Sequence, residues 1–273
     1  MAPPDESPSR WRSFRDVDAT ADPFSLRVYL DDLAELPAMA REKLHSVELL
    51  HLGLGGRCLD VGCGAGPELE WLAQRVGAEG SVVGLDRSRL LLDAASTRQS
   101  DAVVTLVCGD ATALPFDDDR FDAVRADRTL QHVDDPGVAF HELVRVTRPG
   151  GRVVVSEFRW GLVAPDLDRS ITDRVLHAMA GEDERREWIG HTLTELAGEA
   201  GLRDVQALTR TDEIEDPAQI ARLLNLDWSL PAAVDGDQLT DEQARAWRHS
   251  LETHAGRGDA FAVVLFRHVA GVA

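Results

Sequence analysis

Cys58-Leu59-Asp60-Val61-Gly62-Cys63-Gly64-Ala65-Gly66-Pro67 is the stretch around which the chain is organised. It opens as a short apolar run, which reads as a buried strand, and stops in a turn with glycine at every second position. Gly62, Gly64 and Gly66 strip the Cβ atoms from one side of that turn, so the backbone can bend sharply and a ligand can lie against the main chain. Pro67 suits the first turn of a helix, where its missing N–H costs nothing, and Glu68-Leu69-Glu70-Trp71-Leu72 supplies an apolar face. Strand, bare turn and helix in that order are how an open α/β sheet builds a nucleotide-type site at the carboxyl end of its first strand. A glycine-rich turn that binds nothing uses the same residues, so context has to separate the two.

The spacing is G-x-G-x-G, one residue short of the dinucleotide pattern G-x-G-x-x-G, and Asp60 stands just ahead of the glycines. A diphosphate needs bare N–H groups at a helix N-terminus, and an acidic neighbour opposes it. A ligand carrying an ammonium and a sulfonium tolerates or favours acid there.

With 273 residues the chain can form one large domain, or one domain and a cap, around a full core. Hydrophobic residues make up 44% of it, yet no apolar run approaches the roughly 20 residues that span a bilayer. No membrane association is therefore expected. Residues 1–9 are polar and proline-rich without a signal-peptide core, which points to the cytoplasm. Cys58, Cys63 and Cys108 sit in or beside expected strands at spacings that fit neither a zinc ribbon nor a disulfide framework, and are expected to be reduced and structural. A formal net charge of −19 repels a polyanion over most of the surface, which argues against nucleic acid as substrate.

Residues 1–22 read as a mobile tail with one anchor point, Trp11 and Phe14. From Phe24 to Leu50 apolar residues recur at helical spacing and are interrupted at Pro37, which predicts two helices ahead of the sheet. The period then changes. Residues 81–86, 103–108, 121–126 and 152–158 are further strand-like runs, with a helix opening at the N-cap Ser88 and another over 138–146 between them. Strands alternating with helices predict βαβ units and a parallel sheet.

Carboxylates at the strand ends add the most. Asp60 closes the first strand, Asp86 the second, and Asp110 follows the third. The carboxyl ends of parallel strands share one edge, so the three acids are expected to line one crevice. Asp86 is placed to hold a ribose diol by charge-assisted hydrogen bonds, and Asp110 to accept from the exocyclic amine of a base.

Together, Leu59-Asp60-Val61-Gly62-Cys63-Gly64-Ala65-Gly66, Gly84-Leu85-Asp86 and Gly109-Asp110-Ala111-Thr112-Ala113-Leu114-Pro115-Phe116 resemble the class I S-adenosylmethionine-dependent methyltransferases. Within them the chain is similar to the small-molecule branch of ubiquinone/menaquinone-biosynthesis type. Phe121-Asp122-Ala123-Val124, Leu130-Gln131-His132-Val133 and Arg145-Val146-Thr147-Arg148-Pro149-Gly150-Gly151 continue the likeness, which covers about residues 50–160 and is weak before Leu44 and between Arg159 and Gly258. It implies an α/β fold with a Rossmann-like, mostly parallel seven-stranded sheet and an antiparallel last strand, here with a helical cap. Residues 203–210 and 260–268 would supply the last two strands, after a helix over 191–200. The expected organisation is an N-terminal cap segment 1–50, a cofactor-binding core 51–160, a cap insertion 161–190, a core continuation 191–210, a second helical insertion 211–258, and a last strand and tail 259–273. The implied cofactor is S-adenosylmethionine. Asp60 and the turn Gly62, Cys63, Gly64 and Gly66 would hold its methionine part, and Asp86 the ribose with Arg87 beside the adenine. Gly109, Asp110 and Ala111 would hold the adenine edge. Arg128 would sit near the methionine end, in a loop, Ala126-Asp127-Arg128-Thr129, more charged than in many relatives.

Methyl transfer from a sulfonium is an in-line displacement, so alignment supplies most of the acceleration. A general base is needed only where the acceptor must lose a proton, and histidine is the usual choice. Two catalytic candidates follow. His132 lies just after the fourth strand, facing the site or merely packing at a helix start. Glu157 ends the fifth strand, and alternation places it either toward the substrate or in solvent. Acceptor choice is expected in the long helical insertions (168–179, 217–228 and 241–254), whose Trp160, Trp188, Trp228 and Trp247, with Tyr29, either wall a pocket or pack cap helices. His177, His191, His249 and His254 lack metal spacing, and no metal is assigned. The expected partner is a small, apolar or aromatic methyl acceptor; a homodimer is left open. Two rivals stand: an S-adenosylmethionine-binding protein of this fold with another reaction, such as cyclisation, and a nicotinamide-dependent oxidoreductase, which the glycine spacing disfavours.

Overall fold

A computed structural model describes residues 17–19, 23–99, 102–164, 166–180 and 186–273; Trp11 and Phe14 lie outside these. Seven strands, β1 (Arg57–Val61), β2 (Ser81–Asp86), β3 (Val104–Cys108), β4 (Phe121–Asp127), β5 (Thr147–Val163), β6 (Arg203–Ile214) and β7 (Phe261–Val272), form one sheet. Their order is β3-β2-β1-β4-β5-β7-β6. The first five pair in parallel, and β7 runs antiparallel to both of its neighbours. Cys58, Leu59 and Val61 of β1 are wholly buried, as a parallel strand covered by helices on both faces must be. The chain leaves β1 in both directions across the sheet, so a switch point lies between β1 and β4.

Helices α1 (Pro23–Ala34) and α2 (Pro37–Leu49) precede the sheet and part at Pro37. Helix α3 (Leu69–Val76) follows the glycine turn, and α4 (Arg89–Arg98) is capped by Ser88, whose side chain accepts from Leu91 N at 3.1 Å. Helix α5 (Pro136–Arg145) starts on Asp135, with proline in its first turn. Helices α6 (Arg169–Ala180) and α7 (Leu193–Glu199) lie between β5 and β6. Between β6 and β7 come α8 (Pro217–Leu223), α9 (Leu226–Asp235) and α10 (Asp241–Ala255), the last opened by a Thr240–Gln243 capping box.

The structure departs from the periodicity in four places. The single helix expected over 217–228 is two, divided at Asn225, whose φ of +46° is a left-handed value asparagine tolerates. Strand β5 runs beyond Phe158 to Val163 and stays paired with β7 down to Val163↔Phe261. This overhang carries a second core, in which Phe158, Val264 and Phe266 pack with Leu223, Leu230 and Trp247. Trp247 donates from Nε1 to Thr172 Oγ1 at 2.8 Å, and Trp160 packs against the same cluster. Residues 17–19, read as tail, form a short 3-10 turn with Val17 buried. Cys58 and Cys63 are buried as expected of structural thiols, but Cys108 is exposed; all three are free.

One more departure concerns charge. Asp60 and Arg125 occupy the same register on β1 and β4, so their side chains share a face, and both are buried, at 2% and 1% exposure. Arg125 Nη1 lies 2.8 Å from Asp60 Oδ1, its Nη2 is 3.1 Å from Asp127 Oδ2, and its Nε donates to Ser46 Oγ of α2 at 2.9 Å. Removing one partner of such a pair strands the others without compensation. Arg125→Leu is expected to destabilise the protein by about 3–5 kcal/mol in urea unfolding followed by far-UV circular dichroism. A loss under about 1 kcal/mol would give the pair only the weight of a surface contact.

Candidate functional site

A cavity of about 250 Å³ opens beside the carboxyl ends of β1, β2 and β4. Its floor is the glycine turn. Gly62 N and Cys63 N both donate to Leu85 O, at 2.7 and 3.0 Å, which folds the turn over the end of β2. Gly62 has φ +74°, and a Cβ there would sit 2.2 Å from Thr129 Oγ1, so the β4 loop can close down only on glycine. Gly64, at φ +56°, has nothing within 4 Å of where its Cβ would be and lines the open side with Cys63. Gly66 does not line the cavity; it packs behind the turn against Leu69 and Ala95.

Of the three acids expected in one crevice, Asp86 and Asp110 line it and Asp60 does not. The reason is the register with Arg125, which draws Asp60 into the layer between sheet and α2. Asp86 is 8% exposed. It accepts from Gly64 N on Oδ2 and from Ser88 N on Oδ1, both at 2.8 Å. Burial pushes its carboxyl upward and the two amides oppose that shift. Arg87, Gly109, Asp110 and Ala111 continue the wall. Asp110 Oδ1 accepts from the Thr112 hydroxyl and amide, at 2.7 and 2.8 Å, which hold it below the usual carboxylate range.

Beyond β4 the chain turns sharply. Arg128 has φ +54°, uncommon outside glycine and asparagine, and is fixed by its N donating to Ser156 O at 2.7 Å and its Nε to Asp127 Oδ1 at 3.1 Å. Its guanidinium lies over the Phe158 ring, 5.8 Å from the centroid. The Nη groups make no hydrogen bond among the described residues, and the side chain lines the cavity. The 3-10 turn Leu130–His132 follows, with Gln131 and His132 half-buried on the same wall.

Glu157 lies outside the main cavity and is not in solvent either; it sits behind that turn, 2% exposed. Its Oε1 accepts from Leu130 N at 2.8 Å and Gln131 N at 3.3 Å, while Oε2 is buried without a hydrogen bond among the described residues. Burial, reinforced by Asp127 and only partly opposed by the two amides, pushes the carboxyl up to about 8. It is therefore protonated at neutral pH.

Sequence reading missed the charged base of the cavity. Lys43, from α2, forms a buried ion pair with Glu68. Burial alone would raise Asp127, but Arg125, Arg128 and Lys43 outweigh it and hold it at about 2. Asp60 goes the other way, raised by burial to about 6 with Arg125 offsetting only part. Lys43 is the chain's one lysine, and Arg125 interrupts an apolar strand; those were the available signals. The opposite wall is apolar and comes from α1 and β5, with Tyr29, Leu30, Leu33 and Phe158. Among the described residues no three metal-binding side chains gather, and no helix is long and apolar enough to cross a membrane.

A backbone cradle, a buried carboxylate, and an arginine fork within one cavity suit a nucleoside bearing an amino-acid arm. Comparison with known proteins agrees. Residues 59–155 match the family described as a methyltransferase domain. Over 224 residues the chain is 32% identical to methyltransferase GfsG of Streptomyces halstedii, covering 80% of this chain and 76% of that protein. It is 44% identical over 104 residues to a demethylmenaquinone methyltransferase of Renibacterium salmoninarum, but there spans only 38% of this chain and 42% of the relative. The solved structure of Haemonchus contortus phosphoethanolamine N-methyltransferase 2, with phosphomonomethylethanolamine and S-adenosylhomocysteine, superposes with a TM-score of 0.59. It covers 95% of this chain and 60% of that one at 19% identity, a likeness of fold alone. By its sequence, its sheet and this cavity, the chain belongs to the class I S-adenosylmethionine-dependent methyltransferases.

Proposed function

We propose that the methyl acceptor is a small apolar or aromatic metabolite, quinone-like or a product of secondary metabolism, and that the enzyme works in the cytoplasm without nucleic acid. One observation carries the acceptor class: the cavity faces the cofactor residues on one side and Tyr29, Leu33 and Phe158 on the other. An apolar wall with few polar groups favours a flat, weakly polar ligand. The demethylmenaquinone methyltransferase among the relatives supports the same class.

In this reading the bound cofactor supplies an electrophilic methyl group on a sulfonium. Gly62, Cys63 and Gly64 would hold its methionine part against the main chain, and the Arg128 guanidinium would pair with its carboxylate. Asp86 spends one lone pair of each oxygen on backbone amides and keeps the others for ribose hydroxyls. Arg87, Gly109, Asp110 and Ala111 would hold the adenine, with the Asp110 carboxylate available to accept from its amine. Asp60 acts one step removed, by fixing Arg125, and Gly66 shapes the turn from behind. His132 takes the proton released by an acceptor hydroxyl onto an imidazole nitrogen. Glu157 is a positioning group that holds the Leu130–His132 turn, rather than a base.

Calorimetry with S-adenosylhomocysteine tests the seat. Asp86→Ala should weaken binding roughly 10–100-fold, the worth of charge-assisted bonds, and an unchanged affinity would remove Asp86 from the site. With radiolabelled cofactor and a short-chain naphthoquinol, label should pass to the quinol; transfer only to polar amines would overturn the acceptor class. His132→Ala should lower kcat by about 100-fold or more while leaving cofactor affinity intact, and full turnover would exclude the base role.

Stability against pH tests Glu157. Its folded value lies above the ordinary 4.5, so its contribution is complete below that pH and is lost as pH rises toward about 8. Asp60 works in the same direction between 3.8 and about 6. Glu157→Gln stays neutral throughout, so its stability relative to the parent should grow between pH 5 and 8, by on the order of a few kcal/mol, and level off above. Parallel curves would show that Glu157 is not held protonated.

A further inference from the structure

Val17 and Asp18 stand far from the glycine turn in sequence and end beside it in space. Val17 is 4% exposed, packs with Leu26, Ala65 and Leu91, and lines the cofactor cavity. Asp18 is fastened to the start of α4: Ser88 Oγ donates to its Oδ1 at 2.5 Å, Arg89 N to its Oδ2 at 2.9 Å, and Leu90 N to its Oδ1 at 3.3 Å. A carboxylate at a helix N-terminus satisfies amides that otherwise lack partners and meets the positive end of the helix dipole. Slight burial would raise Asp18, but the Ser88 hydroxyl and the two amides outweigh it and hold the group below its usual range, so it is ionised at neutral pH.

The turn that Asp18 grips is the one that carries Asp86. Ser88 gives its hydroxyl to Asp18 and its amide to Asp86 Oδ1, and Asp86 Oδ2 receives Gly64 N. A continuous run of hydrogen bonds therefore joins the 17–19 turn, the end of β2 and the glycine cradle. Val17 lines the same cavity as Asp86 and Gly64.

We propose that Asp18 is a positioning residue for the cofactor: it holds Val17 as the outer wall of the nucleoside end and, through Ser88, fixes the Asp86 carboxylate for the ribose. The proposal rests on the reading that this cavity seats S-adenosylmethionine. Val17 and Asp86 line one cavity, so loosening the Asp18 fastening loosens the wall beside a nucleoside held on Asp86 and speeds its departure. Asn at 18 keeps one acceptor oxygen and with it one or two of the three contacts, whereas Ala keeps none.

S-adenosylhomocysteine binding to the full chain by calorimetry, with dissociation followed by stopped-flow fluorescence, tests this. Asp18→Ala should raise Kd by about five-fold or more, mostly through faster dissociation, with Asp18→Asn intermediate and Val17→Ala changing Kd in the same direction. At saturating cofactor kcat should fall far less than affinity does, and Asp18→Ala should cost only the few degrees of melting temperature that a helix N-terminal carboxylate is worth. Normal binding by the parent with unchanged Kd and dissociation in all three variants overturns the proposal alone. A parallel fall of melting temperature, kcat and affinity overturns it in favour of a general folding role. A parent that binds no S-adenosylhomocysteine overturns the cofactor reading and this proposal together.

Discussion

The site depends on a guanidinium placed where water cannot reach it. Arg125 sits on β4 between Asp60 and Asp127 and touches Ser46 of α2. Isolated, that charge would be intolerable in a core; surrounded by two carboxylates and a hydroxyl it becomes a three-way joint between β1, β4 and the helix before the sheet. The joint lies where the chain reverses direction across the sheet. Its geometry therefore sets the separation between the glycine turn on one strand and the Arg128 loop on the next. Lys43 with Glu68 extends the same ionic layer under the cavity, so three cations face three carboxylates there.

Balance of charge has a functional side. A zwitterionic amino-acid arm brings one charge of each sign, and a neutral layer of paired ions accepts both without a net field that would repel either. The other end of the cavity differs, being walled by Asp86 and Asp110 and supplied with backbone amides that those carboxylates largely occupy. A diphosphate would find the amides taken and acid beside them, whereas hydroxyl and amino donors find acceptors. That contrast separates this seat from a dinucleotide site on a similar sheet.

Much of this was legible before any coordinates, and the unread remainder has a common cause. Strands β1 to β4 announced themselves by apolar runs ending in glycine or acid, and Asp86 and Asp110 both reach the cavity wall because strand ends in a parallel sheet share one edge. Asp60 obeyed the same rule in sequence and broke it in space, since strand alternation turned it toward Arg125. Lys43, Glu68 and Asp127 went unread because a charge on a helix or strand is normally a solvent-facing residue, and only pairing partners distant in sequence make it otherwise. Asp18 was hidden similarly, its helix partner lying 70 residues on. The overhang of β5 was missed because Arg159, Trp160 and Gly161 interrupt the apolar run that strand reading relies on.

That overhang also bears on how such an enzyme can diverge. From Arg152↔Val272 to Val163↔Phe261 the β5–β7 ladder satisfies its own backbone, whatever lies on its outer half. The helices stacked there contribute side chains but no rung, so they can be lengthened, exchanged or recut while the ladder persists. A lineage can thereby recast that half of the molecule and leave the glycine turn and its neighbours, built on the opposite flank of β4, untouched.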